Sequence, residues 1–198
     1  MAKVNGKAST LLGPVPPTMV SCGTVENPNV LTVAWTGIVN SNPPMTYVSI
    51  RPTRHSHKMI QESGEFVINL TPGKLCRAAD YVGVKSGKDI NKFEAMKLTA
   101  APCKHVKAPH IAECPVSLEC KVKSVTSLGS HDMFLAEIVS VDVDDEYIDE
   151  DGKFHMEKCG LISYAHGEYF AQGKKVGSFG YSVRKRAKAK KTGTKKKR

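Results

Sequence analysis

Residues 114–128, CPVSLECKVKSVTSL, and residues 132–148, DMFLAEIVSVDVDDEYI, decide the fold. Both runs alternate apolar and polar side chains, the period of a strand that buries one face. Gly129-Ser130-His131 joins them, and the polar turn Asp149-Glu150-Asp151-Gly152 ends them, so together they read as a long antiparallel hairpin. Toward the N-terminus, residues 66–70, 45–50, 30–39 and 18–25 read as further strands, rich in Val, Ile, Leu and Thr. Glu26-Asn27-Pro28-Asn29 has turn chemistry. NSNPP, residues 40–44, reads as a loop because consecutive prolines cannot donate to a sheet ladder.

Helical signals are few and short. Pro52-Thr53-Arg54 starts a helix with Met59 and Ile60 facing inward and Gly64 stopping it. Residues 74–84 place Leu75, Ala78, Ala79 and Val82 on one face, Ser86-Gly87-Lys88 breaks that helix, and residues 90–96 add one or two helical turns. No βα unit repeats. The expected class is mainly β, a barrel with a few short peripheral helices.

Composition sets bounds on function. The chain has 198 residues, enough for one domain with a sizeable core. No apolar run approaches the roughly 20 residues of a spanning helix, and MAKVNGKASTLLGPVPP lacks the apolar centre of a secretory signal. A cytoplasmic protein without a transmembrane segment is expected. The net charge is +10, but residues 184–198 alone carry ten Lys or Arg and no acid. The other 19 basic residues are matched by 19 acidic ones, so residues 1–183 are formally neutral. The basic balance describes a tail, not a nucleic-acid-binding domain. Three regions are expected: an extended arm at 1–17, a domain at 18–183, and a disordered basic tail at 184–198. That tail offers weak contact with nucleic acid or an anionic surface, and it lacks an obvious aromatic for base stacking. The six cysteines form no CxxC pair and read as reduced, mostly buried thiols.

Polar and cationic groups concentrate in residues 28–64, PNVLTVAWTGIVNSNPPMTYVSIRPTRHSHKMIQESG. Thr53, Arg54, Ser56, His57 and Lys58 gather at a helix start, where free backbone N–H groups and the helix dipole favour an anion such as a terminal phosphate. Trp35, the only tryptophan, offers a broad face near a strand end, and Ser41 and Asn42 offer polar groups in a stiff loop. Each residue also has an ordinary structural role; their density in one stretch is what points to a ligand.

The same stretch, continued through EFVINL to residue 70, resembles the flavin reductase-like family, which binds FMN in a split β-barrel, and most closely its flavoredoxin group. The resemblance continues in DYVGVKSGKDINKFEAMKLT, VKAPHIAECPVSLEC and GEYFAQGKKVGSFGYS, in order, over nearly all of residues 18–182. It implies FMN as cofactor and a homodimer with the flavin near the subunit interface. It places Thr32, Val33, Ala34 and Trp35 along the isoalloxazine edge, and Ser41 and Asn42 near the ring. Arg51, Arg54, Ser56 and His57 would clamp the phosphate, with His55 as the competitor of His57. Ser86, Gly87 and Lys92 would come over the flavin, Lys92 stabilising the reduced ring. The implied activity is electron transfer from NAD(P)H or a redox protein through FMN to flavin or another acceptor. The alternatives are a flavoredoxin-type carrier without NAD(P)H turnover, or a binding module that uses the tail. No side-chain nucleophile or acid–base dyad is evident, and no GxGxxG marks a Rossmann site.

Other clusters point elsewhere. Cys103, His105, His110 and Cys114 fit no zinc-knuckle spacing, and Pro102 and Pro109 imply an extended loop, so no metal site is expected. Cys114 and Cys120 would share a strand face. Asp142, Asp144, Asp145 and Glu146 lack the calcium-loop pattern. His131 and His155 read as turn and edge residues, and His166 as a surface residue beside Gly167.

Overall fold

The computed structural model describes residues 1–184. Along them run β1 (Thr18–Gly23), β2 (Pro28–Val33), β3 (Thr36–Ser41), β4 (Pro44–Ile50), α1 (His55–Ser63), β5 (Glu65–Asn69), α2 (Cys76–Val84), α3 (Lys92–Met96), β6 (Ala100–Ala101), β7 (His110–Ile111), β8 (Val116–Ser127), β9 (Asp132–Val143), β10 (Ile162–Ala165) and β11 (Glu168–Ala171). The alternating runs form the expected hairpin, β8 against β9, with irregularities at Glu119/Cys120 and Val122/Ser124. Extra residues at such bulges bend a strand and increase its twist.

Seven strands make one antiparallel sheet in the order β2-β1-β5-β8-β9-β4-β3. Its two edge strands, β2 and β3, are separated in the chain by only Ala34 and Trp35. The sheet must therefore curl until its edges approach. At the crossing, Ser49 N–H of β4 donates to the Trp35 carbonyl at 3.0 Å, which continues the β3–β4 pairing up to the switch. The result is a barrel closed by the chain instead of by a full ladder.

Alternation fills the interior. Val20, Leu31, Val33, Val48, Ile50, Phe66, Ile68 and Phe134 are buried together with Ile60 of α1. A second cluster of Met19, Val30, Ala78, Ala79, Val82 and Phe93 seats α2 and α3 on the outer face of β1 and β2. The six cysteines are free, and Cys22, Cys114, Cys120 and Cys159 are buried.

Three expectations change. Residues 30–39 are two strands, not one, because the chain changes sheet edges at Ala34–Trp35; side-chain pattern carries no mark of that switch. Residues 40–44 are not a loop: Ser41 pairs with Pro44 around a two-residue turn, since a strand's first residue needs no ladder N–H. Cys114 precedes β8 and joins the helix-covered cluster, whereas Cys120 faces the barrel interior, so they share no face.

Residues 1–14 contain no strand or helix, and Val15 pairs with Tyr164. Beyond Arg184, the tail and its expected disorder lie outside the described residues. Among the described residues no helix is long and apolar enough to cross a membrane.

Candidate functional site

The crossing from β2 to β3 opens a cleft of about 390 Å³. Leu31 to Trp35 and Ser49 to Arg51 line it from the sheet, Asp80, Gly83 and Val84 from α2, and Tyr164, Gly167 and Tyr169 from the β10–β11 hairpin. A Cβ on Gly83 would stand 3.1 Å from the Thr32 Cβ, so glycine is what lets α2 lie this close to β2. His131, from the β8–β9 turn, packs on Trp35 with ring centroids 4.4 Å apart. Burial, then the nearby Arg51 charge, lowers the His131 pKa and favours a neutral ring. Tyr169 donates its hydroxyl to Asp80 at 3.2 Å. The cleft thus has an aromatic end suited to a flat ring system.

A cavity of about 440 Å³ adjoins it at the N-terminus of α1 and shares Leu31, Arg51 and Arg54 with it. Thr53, His55, Ser56, Lys85, Ser86, Gly87 and Lys92 complete its lining. Arg54 is the N-cap of α1, and its side chain caps nothing; the first turn contains no acid. First-turn N–H groups lack intrahelical acceptors, so this end of α1 presents donors and partial positive charge to the cavity. Asn29 donates to Ser56 Oγ at 2.6 Å, which fixes the Ser56 hydroxyl at the cavity wall beside Cys22. Gly87 packs against the Asn29 side chain so closely that a Cβ would overlap it.

Lys92 is 5% exposed, with Nζ donating to the carbonyls of Val30 at 2.7 Å and Val82 at 2.8 Å. An ammonium has three donors, so one remains. Burial first, and then the Arg54 charge, pull its pKa down to about 8. The nearby Cys22 thiol is pushed up to about 11 by burial and stays protonated.

Of the residues singled out from sequence, Thr32, Val33, Ala34, Trp35, Arg51 and Arg54 meet in the first cleft. Arg51, Arg54, Ser56, Ser86, Gly87 and Lys92 meet in the second cavity. Six positions need correction. His57 turns away: its Nε2 bonds Asp132 Oδ2 at 2.8 Å and its ring stands edge-on to Phe134, while His55 lines the cavity. That hydrogen bond holds the Asp132 carboxyl below the usual carboxylate range. Ser41 and Asn42 are exposed at the β3–β4 turn and line neither cavity. Ser86, Gly87 and Lys92, expected over the flavin ring, line the cavity at the start of α1 and not the aromatic cleft.

Sequence reasoning missed Asp80, Gly83, His131, Tyr164 and Tyr169. Only the hairpin turn of His131 was legible, and nothing local marks which way it faces.

A barrel split at the β2–β3 crossing, with an aromatic cleft leading into a cationic cavity at a helix start, defines a flavin-site type of fold. The chain matches the model of the flavin reductase like domain over residues 13–171. It belongs to that family. An uncharacterised protein of Archaeoglobus fulgidus is 37% identical over 74% of this chain and 81% of its own length. The structure is similar to the flavoredoxin of Desulfovibrio vulgaris (Miyazaki F), with TM-score 0.85 and 33% identity, covering 93% of this chain and all of that one. It also shares its fold with a putative flavin reductase with a split barrel domain from Shewanella frigidimarina, with TM-score 0.75 and 24% identity over 85% of this chain and 87% of the other.

The residues fit the flavin mononucleotide that this family implies. A ring-sized cleft with aromatic and aliphatic walls opens into a cavity whose side chains include Arg51, Arg54 and Lys92 and no carboxylate. A tricyclic ring at one end and a phosphate monoester at the other match that polarity.

Proposed function

We propose that this protein binds FMN and works as a flavin reductase-like oxidoreductase, passing electrons from NAD(P)H or a redox protein to flavin or another acceptor. The observation that carries this reading is the continuity of the aromatic cleft with the cationic cavity through Leu31, Arg51 and Arg54. When bound, the flavin supplies hydride and electron transfer. The chain's own residues bind and orient. Arg51, Arg54, Lys92, the Ser56 hydroxyl and the first-turn N–H groups of α1 would hold the phosphate, with Ser86 and Gly87 beside them. Thr32 to Trp35 and the neutral His131 ring would flank the isoalloxazine and exclude water from it.

The test is colour and turnover. Purified protein should be yellow with an FMN spectrum and should oxidise NAD(P)H steadily when flavin is added. Bound FMN with negligible turnover would establish the carrier reading instead. A colourless protein that refuses added FMN would remove the proposal. Sedimentation of the same sample reads the expected homodimer, which the exposed Trp35, Ile38 and Val39 around edge strand β3 support; a monomer at micromolar concentration would count against it.

Lys92 gives a pH signature. Its pKa of about 8 in the fold lies below the ordinary 10.5, so the unliganded protein gains stability as pH rises through that window. Phosphate favours the charged ammonium, so affinity runs the other way: constant below about 8 and falling above it. Between pH 7 and pH 9, FMN affinity measured by fluorescence titration should fall by about tenfold. Lys92→Met should flatten that dependence; an unchanged slope would take Lys92 out of the site.

A further inference from the structure

Away from the cleft, the segment between β6 and β7 returns to the hairpin and brings three ligand-type side chains together. Cys103 Sγ, a ring nitrogen of His110 and a carboxylate oxygen of Asp142 all lie within 4.8 Å of one another, each residue half-buried. Cys103 Sγ is 3.7 Å from His110 Nδ1. On a tetrahedral zinc with bonds of about 2.3 Å to sulfur and 2.0–2.1 Å to nitrogen, those atoms stand about 3.6 Å apart. The observed spacing is the edge of such a tetrahedron.

The frame that holds them is rigid. Asn69, fully buried, accepts from Ile111 N–H and from Ser117 Oγ, both at 2.9 Å. Ile111 follows His110, and Ser117 is paired with Asp142 across β8 and β9. One amide therefore sets the separation of two of the three side chains. Glu119, also fully buried, accepts from the backbone N–H groups of Lys104, His105 and Val106 at 3.2, 2.7 and 3.1 Å, which pins the segment next to Cys103. Neither Glu119 nor Asp142 forms a salt bridge among the described residues. A divalent cation at the cluster would offset the repulsion between these two neighbouring carboxyl groups.

We propose that Cys103, His110 and Asp142 form a divalent metal site of zinc type, with three protein ligands and a fourth position open to water. Thiolate, imidazole and carboxylate together suit zinc among the common divalent ions. The spacing of Cys103, His105, His110 and Cys114 in the sequence conceals this site, because the third ligand comes from β9. His105 is exposed, and Cys114 is buried in the cluster beneath α2 and α3.

The experiment uses untagged full-length protein, stripped with chelator and titrated with Zn²⁺ by calorimetry, followed by X-ray absorption on the loaded sample. One zinc per chain is expected, with one sulfur at about 2.3 Å, and zinc should raise the melting temperature. Cys103→Ser and Asp142→Asn should each weaken zinc binding by about 100-fold or more, since a lost ligand leaves an incomplete site. Cys76→Ser and His105→Ala should bind as the parent does. Circular dichroism of the stripped variants checks folding; if Asp142→Asn does not fold, Cys103→Ser decides. Failure of the parent to bind zinc, a shell without sulfur, or full binding by Cys103→Ser would overturn the site. FMN retention is read separately and bears on neither result.

Discussion

Arg54→Glu is expected to reduce FMN affinity by roughly a thousandfold, about 4 kcal/mol. Arg54 lines both cavities and sits at the N-cap of α1. In the proposed site its loss would remove one charge-assisted hydrogen bond to the phosphate, about 1.5–3 kcal/mol. The new carboxylate adds like-charge repulsion, which solvent screens because the position is exposed. The substitution should not harm the fold. The Arg54 side chain caps nothing, and an acid at a helix N-terminus is favoured by the dipole. Fluorescence titration and thermal melting on one sample separate the two effects. Wild-type affinity in Arg54→Glu would place the phosphate elsewhere, and Arg54→Lys should retain most of the binding.

Asn69→Leu is expected to destabilise the protein by about 3–5 kcal/mol. Asn69 is fully buried and donates to the Met19 carbonyl and Ser21 Oγ, both at 2.9 Å, while Ile111 N–H and Ser117 Oγ donate to its Oδ1. Ser21 in turn donates to the Pro109 carbonyl at 2.5 Å. One side chain thus joins β1, β8 and the return segment through β7. A leucine of similar size fills the space and leaves the Ile111 N–H orphaned, alone worth about 1–3 kcal/mol. For a chain of this length the melting temperature should fall by about 10 °C. A change under about 2 °C would show that water or a backbone shift replaces the network.

Some of this was legible in the residues and some was not. The alternation of residues 116–127 and 132–143 specified the hairpin because a period of two has one solution beside a core. The helix start at residues 52–54 and its stop at Gly64, which adopts φ 68°, were equally local. The assignment of His57 failed for a geometric reason. Residues two apart on a helix point to nearly opposite sides, so only one of His55 and His57 can face the cavity, and Asp132 on β9 decides which. Ser41 and Asn42 lie about six residues of strand, or about 20 Å, beyond the cleft once β3 is seen to run that far.

Chain order and residue chemistry by themselves determined a β-rich barrel with short helices, a formally neutral stretch over residues 1–183 ahead of a basic one, and a gathering of cations and hydroxyls at a helix start. Those properties depend on neighbours within a few positions. The tertiary structure alone decided the rest: that the barrel splits at Ala34 and Trp35 between edge strands β2 and β3, that His131 reaches Trp35, that Lys92 is held by the carbonyls of Val30 and Val82, and that Asp142 meets Cys103 and His110. Each is a contact between segments distant in the chain, set by sheet closure and strand register, which no local period encodes.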